Sequence, residues 1–246
     1  MNLVIDAGNT QIKWAVYSGD KQNYKRSSDK WEDFINDFHN PATGEITSVI
    51  ISSVRALPNE LMVLLKDNLN HVYHLTADIP LPIIIDYKTP FTLGKDRIAA
   101  AAGAAAIYPG HHVLVIDAGT AITFDLINKN AHFIGGNISP GLSMRFKALN
   151  NFTDDLPLVA PGNDLPFLGN STIEAIQAGV QLGIIYEIDA YINSLANNFD
   201  ELRVILTGGD SSYFVKNLKN TIFVVPDLVL DGLNLILNYQ MDHNRG

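Results

Sequence analysis

One short pattern occurs twice in this chain of 246 residues, and it limits the folds open to it. Leu3-Val4-Ile5 runs into Asp6-Ala7-Gly8-Asn9-Thr10, and a second strand-like run follows from Gln11 to Tyr17. Val113 to Ile116 runs into Asp117-Ala118-Gly119-Thr120-Ala121, with Ile122 to Ile127 behind it. Each copy reads as a strand, a tight turn of small residues and a second strand. The copies lie almost half the chain apart, and no linker rich in Pro, Gly or Ser separates the halves. Two domains packed across a cleft are therefore expected rather than independent modules.

The elements between the copies alternate between strand and helix, so the class is α/β. Asp29-Lys30-Trp31-Glu32 has the spacing of a capping box with Asp as the cap, and predicts a helix to about Phe38. Val49-Ile50-Ile51 reads as a buried strand, and Pro58 to Leu69 as a helix with Pro in its first turn. Ile83-Ile84-Ile85 reads as a strand covered on both faces. Asp96 to Ile107 is an Ala-rich helix suited to close packing on a neighbour. In the second half, Phe133 to Ser139 reads as a strand and Pro140 to Phe152 as a helix. Asn170 to Asn197 predicts a long helix with an apolar stripe at Ile173, Ile176, Val180, Ile184 and Ile188. Val204 to Leu206 is a strand ending in Thr207-Gly208-Gly209-Asp210. A helix, the strand Ile222 to Val225 and a last helix from Leu228 to Tyr239 close the chain.

Composition excludes several functions. The net charge of −9 opposes a broad surface for nucleic acid or acidic membrane. With no cysteine, disulfides, thiolate metal sites and cysteine nucleophiles are ruled out, which fits a reducing cytoplasm. No segment has the roughly 18 consecutive apolar residues of a membrane span, and no signal-peptide pattern opens the chain. A soluble, cytoplasmic protein with no nucleic-acid or membrane partner is expected.

The repeated turn suits anions. With little side-chain bulk, its backbone approaches a ligand closely and turns N–H and hydroxyl groups toward phosphate oxygens. A carboxylate at the strand end, Asp6 or Asp117, can hold Mg²⁺ directly or through water. A plain tight hairpin would read the same way from one copy; two copies with hydroxyl residues in the turns favour a grip on a nucleoside triphosphate. Other phosphate motifs fail. Gly94-Lys95 has Thr89 where a P-loop needs its first Gly, and Asp96 where it needs Ser or Thr. No Gly-x-Gly occurs. His111-His112 flanks a strand and reads as structural or surface.

Four motifs in order carry a resemblance. They are Asp6-x-Gly8-Asn9-Thr10, Gly94-x-Asp96-Arg97, Asp117-x-Gly119-Thr120-Ala121-x-Thr123-x-Asp125 and Gly135-Gly136-x-Ile138-x-Pro140-Gly141. Together they resemble type III pantothenate kinase, of the superfamily of acetate and sugar kinases, actin and chaperone ATPases. The resemblance implies two ribonuclease-H-like domains, mixed sheets flanked by helices, at residues 1–110 and 111–246, with the active site in the cleft between them. It implies phosphorylation of pantothenate by ATP, the first step toward coenzyme A, with Mg²⁺, a monovalent cation (K⁺ or NH₄⁺) and a homodimer. Alternatives are a non-catalytic regulatory or accessory homologue, or a kinase of the same superfamily acting on another small hydroxyl or carboxylate substrate.

The resemblance also assigns roles. Asp96 is the candidate base for the pantothenate hydroxyl, or else a cap for the helix it opens. Arg97 can bind a carboxylate or phosphate bidentately, or serve a surface ion pair. Gly94, Lys95, Asp96 and Arg97 form the substrate segment, with Tyr87 and Thr172 as further pantothenate contacts; Tyr87 can equally pack as core, and Thr172 can simply start its helix. Asp6, Ala7, Gly8, Asn9, Thr10, Gln11, Ile12 and Lys13 make the first ATP turn. Asp6 organises Mg²⁺, and Lys13 is either part of that turn or a solvated side chain. Thr120 contacts ATP phosphate and Asp117 binds the monovalent cation. Asp125 is a structural or site residue, and Gly208-Gly209 permits close approach of the adenine nucleoside or makes a plain turn.

Overall fold

A computed structural model describes residues 1–40 and 44–243. They form two compact units. The first comprises residues 1–110, 127–135 and 227–246; the second comprises 111–126 and 136–226.

In the first unit, β1 (Asn2–Ala7) lies at the centre of a five-stranded sheet of order β3-β2-β1-β4-β5. It pairs antiparallel with β2 (Ile12–Ser18) and parallel with β4 (Ser48–Ser53). β3 (Lys21–Ser28) and β5 (His71–His74) are the edges. Leu3, Ile5, Val49 and Ile51 pack with Phe34 of α1 (Trp31–Asp37) and with Leu61 and Leu65 of α2 (Asn59–Asn68). Val4 and Ile50 alternate to the opposite face and are fully buried. The continuous apolar runs of β1 and β4 follow from this double cover. β3 and β5 escape sequence reading because edge strands such as KQNYKRSS and HVYH carry polar side chains rather than an apolar run.

α1 begins one residue later than its expected capping box. Lys30 takes the cap position, and no side chain caps the helix. Ser28 Oγ instead accepts from the Lys30 N–H at 3.2 Å and donates to the Asp33 carboxylate. The expected strand at Ile83–Ile85 shrinks to β6 (Ile84–Ile85), which pairs parallel with His132 and Phe133. Ile83 is buried, but Ile84 is 54% exposed, because β6 is an edge strand and its outer face is uncovered.

α3 (Lys95–Ile107) packs against α7 (Leu228–His243) within this unit. Both helices meet through small residues. A Cβ on Gly232 would sit 1.9 Å from the Ala99 carbonyl oxygen, and one on Gly103 would sit 2.9 Å from that of Leu228. Ala99 and Gly103, four residues apart on one face of α3, meet α7 at these points. This contact, together with packing of α7 on β1 and β4, joins the C-terminal helix to the first unit.

In the second unit the sheet order is β11-β10-β7-β8-β9. β7 (Val113–Ala118), β8 (Ala121–Ile127) and β9 (His132–Pro140) follow one another in the chain. β10 (Arg203–Thr207) pairs parallel with β7, and β11 (Phe223–Val224) parallel with β10. α4 (Leu142–Asn151) and α5 (Thr172–Ala196) cover it, with the short α6 (Ser211–Phe214) after β10. Ile176, Val180, Ile184 and Ile188 of α5 enter the core with Leu114, Ile116, Ile122 and Phe124. Ile173, the first position of the expected stripe, is 53% exposed instead.

The α3–α7 contact gives a stability test. Gly232→Ala forces the helices apart and should destabilise the protein by about 3 kcal/mol, a typical overpacking cost. Urea unfolding of the variant and the parent measures it; an unchanged midpoint would show that the helices do not meet at Gly232.

Candidate active site

β1 delivers Asp6 to its C-terminal end, opposite Lys13 on β2 and Ser52 on β4. The Ser52 hydroxyl donates to Asp6 Oδ1 at 3.0 Å. Burial pushes the Asp6 carboxyl up to about 6; the Ser52 hydrogen bond works against that shift, the negative charge of Asp96 adds to it, and Lys13 again opposes it. Two carboxylates and an ammonium thus share one electrostatic neighbourhood within the first unit. Ser52 is a site residue that sequence reading missed; the available signal was the polar Ser-Ser ending of an otherwise apolar strand.

After β1 the chain turns through Gly8 to Gln11, closed by Gly8 N–H donating to the Gln11 carbonyl at 3.0 Å. Asn9, Thr10 and Gln11 are exposed at its tip, while Ala7 and Ile12 are buried strand ends. The second copy is tighter. Only Gly119 and Thr120 separate β7 from β8, and Gly119 N–H donates to the Ala121 carbonyl at 3.1 Å. The two repeats are therefore related in sequence but differ in turn length.

Gly94 occupies the cap position of α3, so Asp96 lies in the first turn of the helix rather than at its cap. Its carboxylate Oδ1 accepts from the Arg97 N–H at 2.9 Å, while the side chain stays exposed. A Cβ on Gly94 would lie 2.5 Å from that same Oδ1, so only glycine leaves the carboxylate its place. Lys95 Nζ donates to the Ser53 carbonyl at 3.0 Å, tying the start of α3 to the end of β4.

Arg97 is buried, with its guanidinium carbon 5.9 Å from the Tyr87 ring centre and 5.6 Å from that of Phe133. Tyr87 and Phe133 meet edge to face at 5.8 Å. The structure thus joins Arg97 and Tyr87, two expected substrate contacts, in one aromatic seat suited to a guanidinium. Phe133 was anticipated only as a strand residue.

In the second unit Asp117 is the penultimate residue of β7, in register with Thr207 of β10. Gly208 has φ of +92°, and a Cβ there would fall 2.4 Å from Asp117 Oδ1 and 2.5 Å from the Ala118 carbonyl oxygen. Gly141 is equally close to the turn, with a would-be Cβ 2.3 Å from the Gly119 carbonyl oxygen. Its N–H donates to the Thr120 carbonyl at 3.1 Å, and Asp210 N–H donates to that of Ala118 at 3.0 Å. Glycines from two distant motifs thus buttress the Asp117 turn, while Thr120 itself is exposed. Asp125 is buried and accepts from Thr123 Oγ1 at 3.1 Å, which suits a structural part. Thr172 is the exposed first residue of α5. Ser171, not Thr172, caps that helix, accepting from the Glu174 N–H at 3.3 Å.

Among the described residues no three carboxylates or imidazoles converge. A single carboxylate still fits Mg²⁺, which keeps waters and takes its other oxygens from phosphates. Asp6 has that character: a carboxylate whose burial and negative neighbour favour a cation.

The fold is that of the actin-like ATPases and sugar kinases. A solved structure of a conserved protein from Campylobacter jejuni, assigned to the Baf family of transcriptional activators, aligns at a TM-score of 0.62, with 21% identity, over 98% of this chain and 99% of that one. The activator of 2-hydroxyisocaproyl-CoA dehydratase from Clostridium difficile, solved with bound ADPNP, aligns at 0.54, with 13% identity, over 99% and 95%. Within this fold class the chain belongs to the type III pantothenate kinase family, whose profile matches residues 2–194. The type III pantothenate kinase of Cytophaga hutchinsonii is 44% identical over 98% of this chain and 100% of its own length.

The raised carboxyl of Asp6 gives a pH test. Its folded value of about 6 lies above the ordinary 3.8, so ionising it costs the folded state stability as pH rises from about 4 to about 6. Asp6→Asn removes that cost. Without Mg²⁺ the variant should be more stable than the parent by about 1–3 kcal/mol at pH 7 and no more stable at pH 4. Thermal unfolding at both pH values checks this, and a gain that does not depend on pH would contradict it.

Proposed function

We propose that this protein transfers the γ-phosphoryl group of ATP to the primary hydroxyl of pantothenate, giving 4′-phosphopantothenate and ADP, the first step of coenzyme A synthesis. Membership of the type III pantothenate kinase family supports the reaction. One observation carries the chemistry: an exposed carboxylate, Asp96, stands in electrostatic reach of the strand-end carboxylate Asp6 and one residue from the buried Arg97.

Asp96 accepts the hydroxyl proton as the substrate oxygen bonds to the γ-phosphorus and the bond from phosphorus to the ADP oxygen breaks. The Arg97 N–H held by Asp96 Oδ1 fixes that carboxylate's orientation. Arg97 and Tyr87, with Gly94 and Lys95 beside them, take pantothenate, for which Thr172 is a further candidate contact. The turn from Ala7 to Lys13 takes ATP phosphates in the first unit, and Thr120 does so in the second. Asp6 holds Mg²⁺, which when bound neutralises phosphate charge. Asp117 holds K⁺ or NH₄⁺, a further positive charge near the phosphates.

The enzyme works as a homodimer in the cytoplasm. The second unit exposes Phe152, Phe167 and Leu168, each at least 78%, which suits a face covered by a second copy. No helix among the described residues is long and apolar enough to cross a membrane.

The test follows ADP release with pantothenate and ATP present. The parent should release ADP only with pantothenate, Mg²⁺ and K⁺ or NH₄⁺ together. Asp96→Asn should lower turnover by about 10²–10⁴-fold, the range for loss of a general base, with nucleotide binding retained. A pantothenate-independent release, or none at saturating cations, overturns the reaction. Near-parental turnover of the variant overturns the role of Asp96, and full activity in Na⁺ alone overturns that of Asp117.

A further inference from the structure

Arg55 lies outside every motif the sequence singles out, two residues beyond the end of β4. Its Nε donates to the Gly8 carbonyl at 2.6 Å and its Nη2 to the Asn9 carbonyl at 2.8 Å. Its Nη1 donates to the carbonyl of Asp29 at 2.8 Å. The arginine's own backbone is pinned. Ser53 Oγ accepts from the Arg55 N–H at 3.0 Å and donates to the Arg55 carbonyl at 2.8 Å. Val54 N–H donates to the Ala7 carbonyl at 3.1 Å, which carries the pairing of β1 and β4 up to the turn itself.

A trans peptide puts the carbonyl of one residue and the N–H of the next on opposite sides of its plane. No peptide among the described residues is cis. A guanidinium that draws the Gly8 and Asn9 carbonyls to itself therefore turns the N–H groups of Asn9 and Thr10 away from it. Successive N–H groups presented this way form a concavity for an anion. Asn9 and Thr10 are exposed, so packing of their side chains does not impose this orientation. Without the arginine, the Gly8 and Asn9 carbonyls lose the donors that hold them, and a carbonyl oxygen turned toward the ligand side would repel phosphate.

We propose that Arg55 is a positioning residue for the ATP phosphates, setting the peptide planes of the first turn from behind. This rests on the reading of that turn as a phosphate site. The planar fork is essential, because one lysine ammonium cannot match two carbonyls held at fixed spacing and a third beyond them.

Arg55→Lys keeps the charge, and Arg55→Met keeps the stem. In both, KM for ATP should rise about tenfold or more, the effect of losing charge-assisted hydrogen bonds. KM for pantothenate should stay within about twofold, since the Arg55 guanidinium donates to the turn and to Asp29. Calorimetric titration supplies the reading that a general loss of structure would not give: ADP affinity falls by the same factor while adenosine affinity is unchanged. Unchanged ADP affinity in both variants overturns the proposal, as does an equal loss for ADP and adenosine. If the parent forms no phosphopantothenate, the kinase reading fails, while the comparison of ADP with adenosine still decides the role of Arg55.

Discussion

The first unit is organised around an unfavourable arrangement: a partly buried carboxylate, Asp6, near the end of a strand whose apolar residues are fully buried, repelled by Asp96. Burying charge costs free energy unless something offsets it. Ser52 and Lys13 offset part of the cost. In the proposed kinase reading a divalent cation carrying phosphate oxygens would supply what remains, which makes the arrangement a liability in the empty protein and an asset in the loaded one.

Much of the surrounding structure follows from holding that arrangement rigid. β1 is central and paired on both sides, so the Asp6 backbone has little freedom. β4 and the residues just beyond it then contribute three contacts: Ser52 to the Asp6 carboxylate, the Ser53 carbonyl to Lys95, and Arg55 to the turn. α3 brings Asp96 and Arg97 on one rigid helix, and the helix is locked to α7 by an interface of alanine and glycine that tolerates no added methyl. Flexibility in any of these would let the like charges of Asp6 and Asp96 separate.

The parts legible in the sequence were those with local signatures. The two Asp-Ala-Gly turns, the apolar runs of β1, β4 and β7, the Ala-rich α3 and most of the α5 stripe could be read directly, because periodicity and turn chemistry are local properties. Edge strands β3 and β5 could not, since their polar residues satisfy solvent rather than a core. The capping box at Asp29 failed because spacing alone cannot say which residue the helix begins on. At the site, Asp6, Asp96, Arg97 and Tyr87 were named in advance, and the structure brings Arg97 against Tyr87 and Asp96 near Asp6. Ser52, Arg55 and Phe133 were not named as site residues. Each acts across the sheet or between elements distant in sequence, as with Arg55 and the Asn9 and Gly8 carbonyls, 46 and 47 positions away in the chain. The Gly208 and Gly141 contacts with the Asp117 turn are hidden for the same reason.

The most direct measurement of the central claim is a carbon-13 NMR titration of the Asp6 side-chain carboxyl, with and without Mg²⁺ and ADP. The account predicts a midpoint near 6 in the free protein, falling toward or below the ordinary 3.8 when the cation and nucleotide are bound. A midpoint near 3.8 in the free protein, or one that Mg²⁺ and ADP leave unmoved, would contradict it.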